Sequence, residues 1–169
     1  LEINQKGDLK VNVAKTQENL IINTTGRLDT ESNTIISAKS LDLKAKTIGD
    51  GNNVLNTSIN GGSLSINAAE GNVNLVNNGV ITNTGLKINT NGDISVENKG
   101  DVAFNSIVTP NGKIKISISG YGTNANGNEI NFKTNSIEGI EYEGKSLGQN
   151  NDKIQMHVSK LIVDTVSGG

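Results

Sequence analysis

The chain has 169 residues, enough for one domain, but only two Phe, two Tyr and no Trp are available for its core. The net charge of −2 gives no basic face for nucleic acid or anionic lipid. Absence of cysteine excludes disulfides and zinc sites with thiolate ligands. With 27 Asn and 20 Gly against one Pro, the composition is far from average, and the core must be built from Leu, Ile and Val.

A short phrase of apolar-x-apolar residues returns through the first half of the chain. It begins at Leu1, Leu20, Leu41, Leu64 and Leu86, which lie 19 to 23 residues apart. Apolar residues two apart indicate a strand, and a fixed period near 20 residues is typical of stacked supersecondary units. Such even spacing of apolar pairs argues against a disordered chain.

Two further apolar elements follow within the same period. The second is introduced by glycine at 7–11, 71–75 and 92–96, and the third lies at 35–36, 80–81 and 100–104. Turns of 20 to 24 residues with three short strands each predict an all-β protein, a parallel β-helix or β-solenoid. We expect residues 1–119 to form regular turns and residues 120–169 to form less regular turns with longer loops, all within one β-helix segment of a longer protein.

In a parallel β-helix each residue stacks on its equivalent one turn below. The leading leucines are therefore predicted to form one interior column. The second apolar residues are predicted to form its neighbour: Ile3, Ile22, Leu43, Ile66 and Ile88. Inward asparagines at equivalent corners are expected to form hydrogen-bonded ladders, with Asn4, Asn23, Asn67 and Asn89 as candidates.

Asn-Gly pairs offer a structural alternative. They occur at 60–61, 78–79, 91–92, 111–112 and 126–127. Asn-Gly suits the corners of a β-helix, but it is equally a signal for a two-residue β-hairpin and hence for an antiparallel sheet. The period favours the β-helix because it spans three strands, whereas a hairpin repeat closes on two.

The candidate binding residues lie where the period lengthens after Ile107. The loops at 120–128 and 143–152 carry most of the departure from the regular pattern, and loops are where binding residues concentrate. We therefore select as possible binding residues Tyr121, Asn124, Asn126, Lys145 and Asn150.

Catalytic and metal-binding patterns are weak in this sequence. Asp93 and Asp101 are single acidic residues without aromatic platforms for sugar rings, and His157 has no acidic or cysteine cluster beside it. The stretch 49–52 lacks the spaced ligands of a calcium loop and is predicted to be a corner, and 144–146 lacks the preceding glycine of a phosphate loop. We predict no enzyme activity, catalytic residue, metal or cofactor.

Two Asn-x-Ser/Thr triplets begin at Asn23 and Asn56, and they are possible glycosylation sites. In a chain this rich in Asn, Ser and Thr, such triplets also arise by chance.

The 20-residue period, the Gly-[Asp/Asn/Ser]-apolar-x-apolar phrases, the Asn-Gly corners and the scarce aromatics resemble the shafts of filamentous haemagglutinin-like exoproteins, most clearly over 64–120. These are large adhesins of Gram-negative bacteria exported by two-partner secretion. Contact-dependent inhibition proteins and large autotransporter passengers share this repeat pattern and composition. The resemblance implies a right-handed β-helix, secretion to the bacterial cell surface through an outer-membrane partner, and a virulence role in attachment. Some adhesins of this type carry sugars on asparagines of such triplets, to which Asn23 and Asn56 would correspond.

The resulting hypothesis is a non-enzymatic segment of a secreted adhesin. Its partner would be a host-cell glycan or surface protein, or a neighbouring bacterial cell. We expect the chain to bind no nucleic acid and not to insert into a membrane. A second form of the hypothesis is a shaft with no partner of its own. The alternative from another class is a carbohydrate-active β-helix, either a polysaccharide lyase or a phage tailspike fragment.

Overall fold

The computed structural model describes residues 1–49, 53–148 and 152–165, and all regular elements in these ranges are β-strands. They stack as a β-solenoid of about 8 turns of about 21 residues. Every strand pairing recorded is parallel, from β1 on β4 to β18 on β21. The predicted fold class is thus confirmed, and the antiparallel alternative is wrong.

The strands group by turn as follows. The first three turns contain β1 (Glu2–Gln5), β2 (Leu9–Val11), β3 (Ala14–Lys15); β4 (Asn19–Thr24), β5 (Arg27–Thr30), β6 (Ile36–Ala38); β7 (Ser40–Ala45), β8 (Thr47–Ile48) and β9 (Leu55–Ile59). Turns 4 to 6 contain β10 (Gly62–Ala68), β11 (Val73–Asn78); β12 (Ile81–Thr90), β13 (Ile94–Lys99); β14 (Val102–Thr109) and β15 (Ile114–Ile118). The last two contain β16 (Tyr121–Asn124), β17 (Phe132–Thr134), β18 (Ile140–Gly144); β19 (Ser146–Leu147), β20 (Met156–His157) and β21 (Leu161–Thr165). In turns 4 to 6 long strands replace pairs of short ones: β11 pairs with both β8 and β9 of turn 3, and β14 pairs with both β16 and β17 of turn 7.

Two sheets run the length of the rod. One has the order β1-β4-β7-β10-β12-β14-β16-β19, and the other has β2-β5-β8-β11-β13-β15-β18-β21. At about 4.8 Å per turn, eight turns give a rod about 38 Å long. The core lies between the sheets and is formed by stacked apolar side chains.

The interior columns follow the predicted register. Leu20, Leu41, Leu64 and Leu86 pair in succession and are 0 to 2 % exposed. The neighbouring column runs through all eight turns: Ile3, Ile22, Leu43, Ile66, Ile88, Ile107, Phe132 and Met156. In the other sheet an equivalent column comprises Leu9, Leu28, Ile48, Val73, Ile94, Ile114, Ile140 and Leu161. Leu1, at the lower end, is 68 % exposed.

The asparagine ladder is not where the sequence placed it. Asn23 Nδ2 donates to Asn4 Oδ1 at 2.9 Å, but Asn67 and Asn89 are exposed and face solvent. The inward ladder lies in the other sheet, where the Thr57 hydroxyl donates to Asn77 Oδ1 at 2.9 Å and Asn77 Nδ2 donates to Asn98 Oδ1 at 2.7 Å. Alternation explains the difference, because Asn67 and Asn89 are one residue beyond the buried isoleucines and so point to the opposite face.

Side-chain hydrogen bonds stabilise the corner between the two sheets, from buried threonines on its inner side and from acidic or amide side chains on its outer side. Thr109 Oγ1 donates to the Gly92 carbonyl at 2.7 Å, and it accepts the Gly112 N–H at 3.0 Å. Outside this corner, Asp93 Oδ1 accepts the Lys113 N–H at 3.0 Å, and the same arrangement recurs from turn to turn. A Cβ on Gly112 would overlap the Gly92 carbonyl, so glycine is required there by stacking.

Two features stabilise the upper turns. One is a cluster of aromatic side chains, and the other is the loop at 125–131, which is held by side-chain hydrogen bonds and is called the stitched loop below. Phe104 packs on Phe132 with ring centroids 4.9 Å apart and on Tyr142 at 6.2 Å. In the loop at 125–131, the amide of the buried Asn131 donates to the Phe104 carbonyl at 2.8 Å. The strand β18 begins at Ile140, and Ile137 precedes it in the connecting segment and is 86 % exposed.

Candidate functional site

An open cavity of about 360 Å³ lies on the rod surface at the end of the second sheet. Segments 97–99, 117–119 and 143–145 line it, one from each of three successive turns. We call this surface the corner groove. Glu97 pairs with Ser117, and Ser117 pairs with Glu143, so the groove runs along the rod axis with two serines between two Glu/Lys pairs. Its volume falls at the small end of the range typical of ligand pockets.

Several lysine and glutamate side chains on the rod form salt bridges with the next turn, and those of the corner groove do not take part in them. In turns 1 to 4 Lys10 pairs with Glu31 at 2.9 Å and Lys46 with Glu70 at 3.1 Å. Higher up, Lys113 pairs with Glu138 and Lys115 with Glu141. Within the described ranges, no salt bridge involves the four charged residues of the groove: Glu97, Lys99, Glu143 and Lys145. All four residues line the open cavity.

Tyr121 lies beside the groove, next to Lys145. The Lys145 Nζ atom is 5.4 Å from the centroid of the Tyr121 ring, which is within cation–π range. The two residues meet because they occupy the same corner on adjacent turns: the Lys145 N–H donates to the Gly120 carbonyl at 2.9 Å. Tyr121 is 42 % exposed, so its ring is accessible from solvent.

The floor of the groove is apolar and rigid. Ile118 is 5 % exposed, and beside it a Cβ on Gly144 would come within 2.8 Å of the Ile118 side chain. Below the floor, the Tyr142 hydroxyl donates to the Ser146 carbonyl at 2.6 Å, and burial raises the pKa of this phenol. Beneath Ile118, Asn98 Nδ2 donates to the Gly100 carbonyl at 3.0 Å. A fixed floor reduces the ordering cost of binding.

The other predicted binding residues build the 125–131 loop. Asn124 Nδ2 donates to the Gly127 carbonyl at 2.7 Å and to the Lys153 carbonyl at 2.8 Å. Asn124 Oδ1 accepts the Asn126 N–H at 2.7 Å, and Asn126 Nδ2 donates to the Ile130 carbonyl at 3.4 Å. Asn150 lies outside the described residues, as do residues 50–52 of the predicted corner at 49–52.

The two asparagines that begin glycosylation triplets are half-buried and lie lower on the rod, on outward positions of turns 2 and 3. Asn23 bonds Asn4, as described above, and Asn56 Nδ2 donates to the Val54 carbonyl at 3.2 Å. Neither is near the corner groove. That these sites are modified stays a prediction.

Sequence reasoning missed Glu97, Ser117 and Glu143. Each follows an interior residue by one position: Val96, Ile116 and Tyr142, which form one column. The signal in the sequence is the repeated offset of the second strand, which places these three residues on one outward line.

The remaining chemical candidates have structural roles or lie alone. Asp93 and Asp101 accept backbone N–H groups from the turn above, Asp101 Oδ1 from Tyr121 at 2.8 Å. His157 is exposed on β20. A search of the described ranges finds no group of three or more His, Cys, Asp or Glu side chains placed to hold a metal ion.

Comparisons with protein-family models, with curated proteins and with solved structures found no match to this chain. Within the described ranges, the structure has no helix whose length and apolar character would let it cross a membrane.

Proposed function

We propose that this chain is a non-enzymatic β-solenoid segment of a secreted bacterial surface adhesin, and that the corner groove contacts a glycan of a host cell or a neighbouring bacterium. The observation that carries the proposal is the meeting of Tyr121 and Lys145 beside a groove whose charged side chains have no salt-bridge partner among the described residues. Export through an outer-membrane partner belongs to the same proposal and rests on the resemblance of the repeat.

The groove offers the groups with which proteins hold sugars. The carboxylates of Glu97 and Glu143 accept hydrogen bonds from sugar hydroxyls, and the lysine ammonium groups donate them. The Tyr121 ring provides an apolar face for the C–H side of a pyranose. A rod with rigid interior columns leaves such outward residues free to vary without loss of the fold.

Glycan-array and cell-binding assays test this proposal. The chain is expected to bind a subset of glycans, and Tyr121→Ala and Lys145→Ala each to weaken binding at least tenfold. Lys46→Ala, which removes an exposed lysine from turn 3, is the matched control and should leave binding unchanged. Because these positions are exposed, each change should alter stability by less than about 0.5 kcal/mol.

Three outcomes would contradict the proposal. Absence of binding above background would favour a shaft without a partner. Equal losses from Lys145→Ala and Lys46→Ala would indicate non-specific electrostatic attraction. Release of reducing ends or unsaturated uronates from polysaccharides would favour the carbohydrate-active alternative.

A further inference from the structure

The Asn-Gly pairs of this chain have a chemical reactivity as well as a preference for turns. In such a pair the backbone nitrogen of the glycine attacks the side-chain carbon Cγ of the asparagine, because glycine has no Cβ to obstruct the approach. The new N–Cγ bond closes a succinimide ring, the N–H proton passes to solvent, and the Cγ–Nδ2 bond breaks to release ammonia. Water then adds to one carbonyl carbon of the ring and opens it to aspartate or isoaspartate. The fold controls this reaction through the freedom of the glycine N–H and of the backbone around it.

Four of the five Asn-Gly pairs have a glycine N–H that donates a hydrogen bond. The acceptors are the Val80 carbonyl for Gly61 at 2.7 Å, the Lys99 carbonyl for Gly79 at 3.2 Å, Thr90 Oγ1 for Gly92 at 3.3 Å and Thr109 Oγ1 for Gly112 at 3.0 Å. Each of these bonds must break before the nitrogen attacks, so each slows the reaction.

Three of these glycines are also packed against the turn below. A Cβ built on Gly79 would overlap the Ile59 carbonyl. One on Gly92 would overlap Asn72 Oδ1, and one on Gly112 would overlap the Gly92 carbonyl. Neighbours this close prevent the backbone rotation that the attack requires.

The pair formed by Asn126 and Gly127 has neither form of protection. Within the described ranges, the Gly127 N–H donates to no hydrogen bond, and nothing lies within 4 Å of a Cβ built on this glycine. Gly127 is exposed with a φ of +59°, in a turn where the Glu129 N–H donates to the Asn126 carbonyl at 3.1 Å. Among the described groups, Asn126 Nδ2 has one acceptor, the Ile130 carbonyl at 3.4 Å. Both reacting groups are therefore accessible on the folded rod.

We propose that Asn126 is a site of spontaneous deamidation through a succinimide, and that the fold protects the other four Asn-Gly pairs. The reaction consumes one water molecule and releases one ammonia molecule, so it needs no enzyme and no other reactant.

Isoaspartate at position 126 would alter the stitched loop. It adds a Cβ atom to the backbone between Asn126 and Gly127, and Asn124 bonds both residues. Asn124 Oδ1 accepts the Asn126 N–H at 2.7 Å, and Asn124 Nδ2 donates to the Gly127 carbonyl at 2.7 Å. The same Nδ2 atom donates to the Lys153 carbonyl at 2.8 Å. A longer backbone in the loop should therefore loosen its attachment to the last turn.

Peptide mapping of the folded chain tests the proposal. The protein is kept in mildly alkaline buffer, sampled over time and digested with trypsin, and mass spectrometry measures the conversion of each asparagine. Cleavage after lysine separates the pairs: Asn126 falls in 116–133, Asn111 in 100–113 and Asn91 in 88–99, while Asn60 and Asn78 share 47–87 and are distinguished by fragmentation. Asn126 should react at least about tenfold faster than each of the other four.

An unfolded sample separates the effect of the fold from that of the sequence. In guanidinium chloride the five pairs should react at rates within about threefold of one another, because none retains its hydrogen bond. Gly127→Asn is the matched variant, since the site has open space and asparagine tolerates a positive φ. Its side chain obstructs the attack, so conversion of Asn126 should fall to the level of the protected pairs.

Hydrogen–deuterium exchange tests the effect on the loop. The N–H of residue 126 should exchange faster in the isoaspartate product than in Asn126→Asp, which keeps the normal backbone length. Equal exchange would overturn the predicted loosening. The site itself would be overturned if another Asn-Gly pair of the folded chain reacted as fast as Asn126, or if Asn126 stayed intact while the unfolded sample reacted. These outcomes do not depend on glycan binding.

Discussion

The polar residues inside the rod satisfy backbone groups that strand pairing leaves without partners. Asn77 is fully buried, and its Oδ1 atom accepts the Ile59 N–H at 2.9 Å while its Nδ2 atom donates to the Ile59 carbonyl at 3.3 Å. Thr134 Oγ1 similarly donates to the Gly112 carbonyl at 2.6 Å. Buried polar groups are retained when they are hydrogen-bonded in this way. The buried Asn and Thr side chains thus supply hydrogen bonds that the strands themselves do not make.

Replacing Asn77 by Ala should destabilise the protein by about 3 kcal/mol, since the Thr57 hydroxyl, the Ile59 N–H and Asn98 Oδ1 all lose a buried partner. Asn89→Ala is the matched control, because Asn89 is exposed, and it should cost less than about 0.5 kcal/mol. Urea unfolding measures both values. Equal effects would contradict the assignment of Asn77 and Asn89 to opposite faces.

Tyr142 should make stability depend on alkaline pH. Burial raises its folded-state pKa above the ordinary value of 10.0, so the unfolded chain releases the phenolic proton first. The stabilisation is complete below pH 10 and declines as the pH rises above it. Urea midpoints between pH 9 and about 11.5 should fall more steeply for the parent chain than for Tyr142→Phe. Parallel slopes would show that Tyr142 ionises alike in both states.

At the scale of the strand, the interior columns follow from the strict alternation of buried and exposed residues along each repeated strand. Leu64 and Ile66 are buried and Ser65 between them is partly exposed, as are their equivalents in the adjacent turns. The sequence predicts these columns because every turn repeats the same offset. Boundaries are harder to predict: β12 contains a register shift between Ile81 and Leu86, which the periodicity does not indicate.

The combined substitution of Leu64 and Leu86 by Asp should abolish folding. The two side chains lie in adjacent turns and are 0 % exposed, so two unpaired charges would be buried side by side. The cost exceeds about 5 kcal/mol, which is comparable with the stability of a whole domain. Circular dichroism and thermal melting measure the loss.

Ser65→Asp combined with Lys87→Asp is the matched control for that experiment. These positions stack on each other one residue along, and they face solvent. Folding should persist with a small loss from like-charge repulsion. A folded Leu64→Asp/Leu86→Asp protein would disprove the interior column.

The sequence alone predicts two residues of the candidate site, Tyr121 and Lys145, but not their contact. Tyr121 and Lys145 stand out because they lie where the period lengthens and because aromatic residues are rare here. Their meeting required the register that puts Tyr121 beside Ser146. Glu97 and Glu143 look like ordinary outward strand residues, and only the stacking of turns 5 and 7 around Ser117 makes them neighbours of one groove.

At the scale of the molecule, the regular turns form the repeated core, and the less regular turns contain the candidate site. Turns 2 to 5 carry the closest repetition of the leucine column, while the aromatic cluster, the stitched loop and the corner groove lie in turns 5 to 7. The period predicts the rod because it is a property of all turns. The groove is confined to three turns, so the periodicity of the sequence does not predict it.

Engineered disulfides between adjacent turns test the parallel stacking most directly, because the chain has no native cysteine. Ser65 and Lys87 are in register on neighbouring strands, at a Cα separation of about 4.8 Å that suits a disulfide. Ser65→Cys with Lys87→Cys should therefore oxidise readily in the folded protein, whereas Ser65→Cys with Asn91→Cys should not. Absence of the first disulfide, or equal formation of both, would contradict the β-solenoid register.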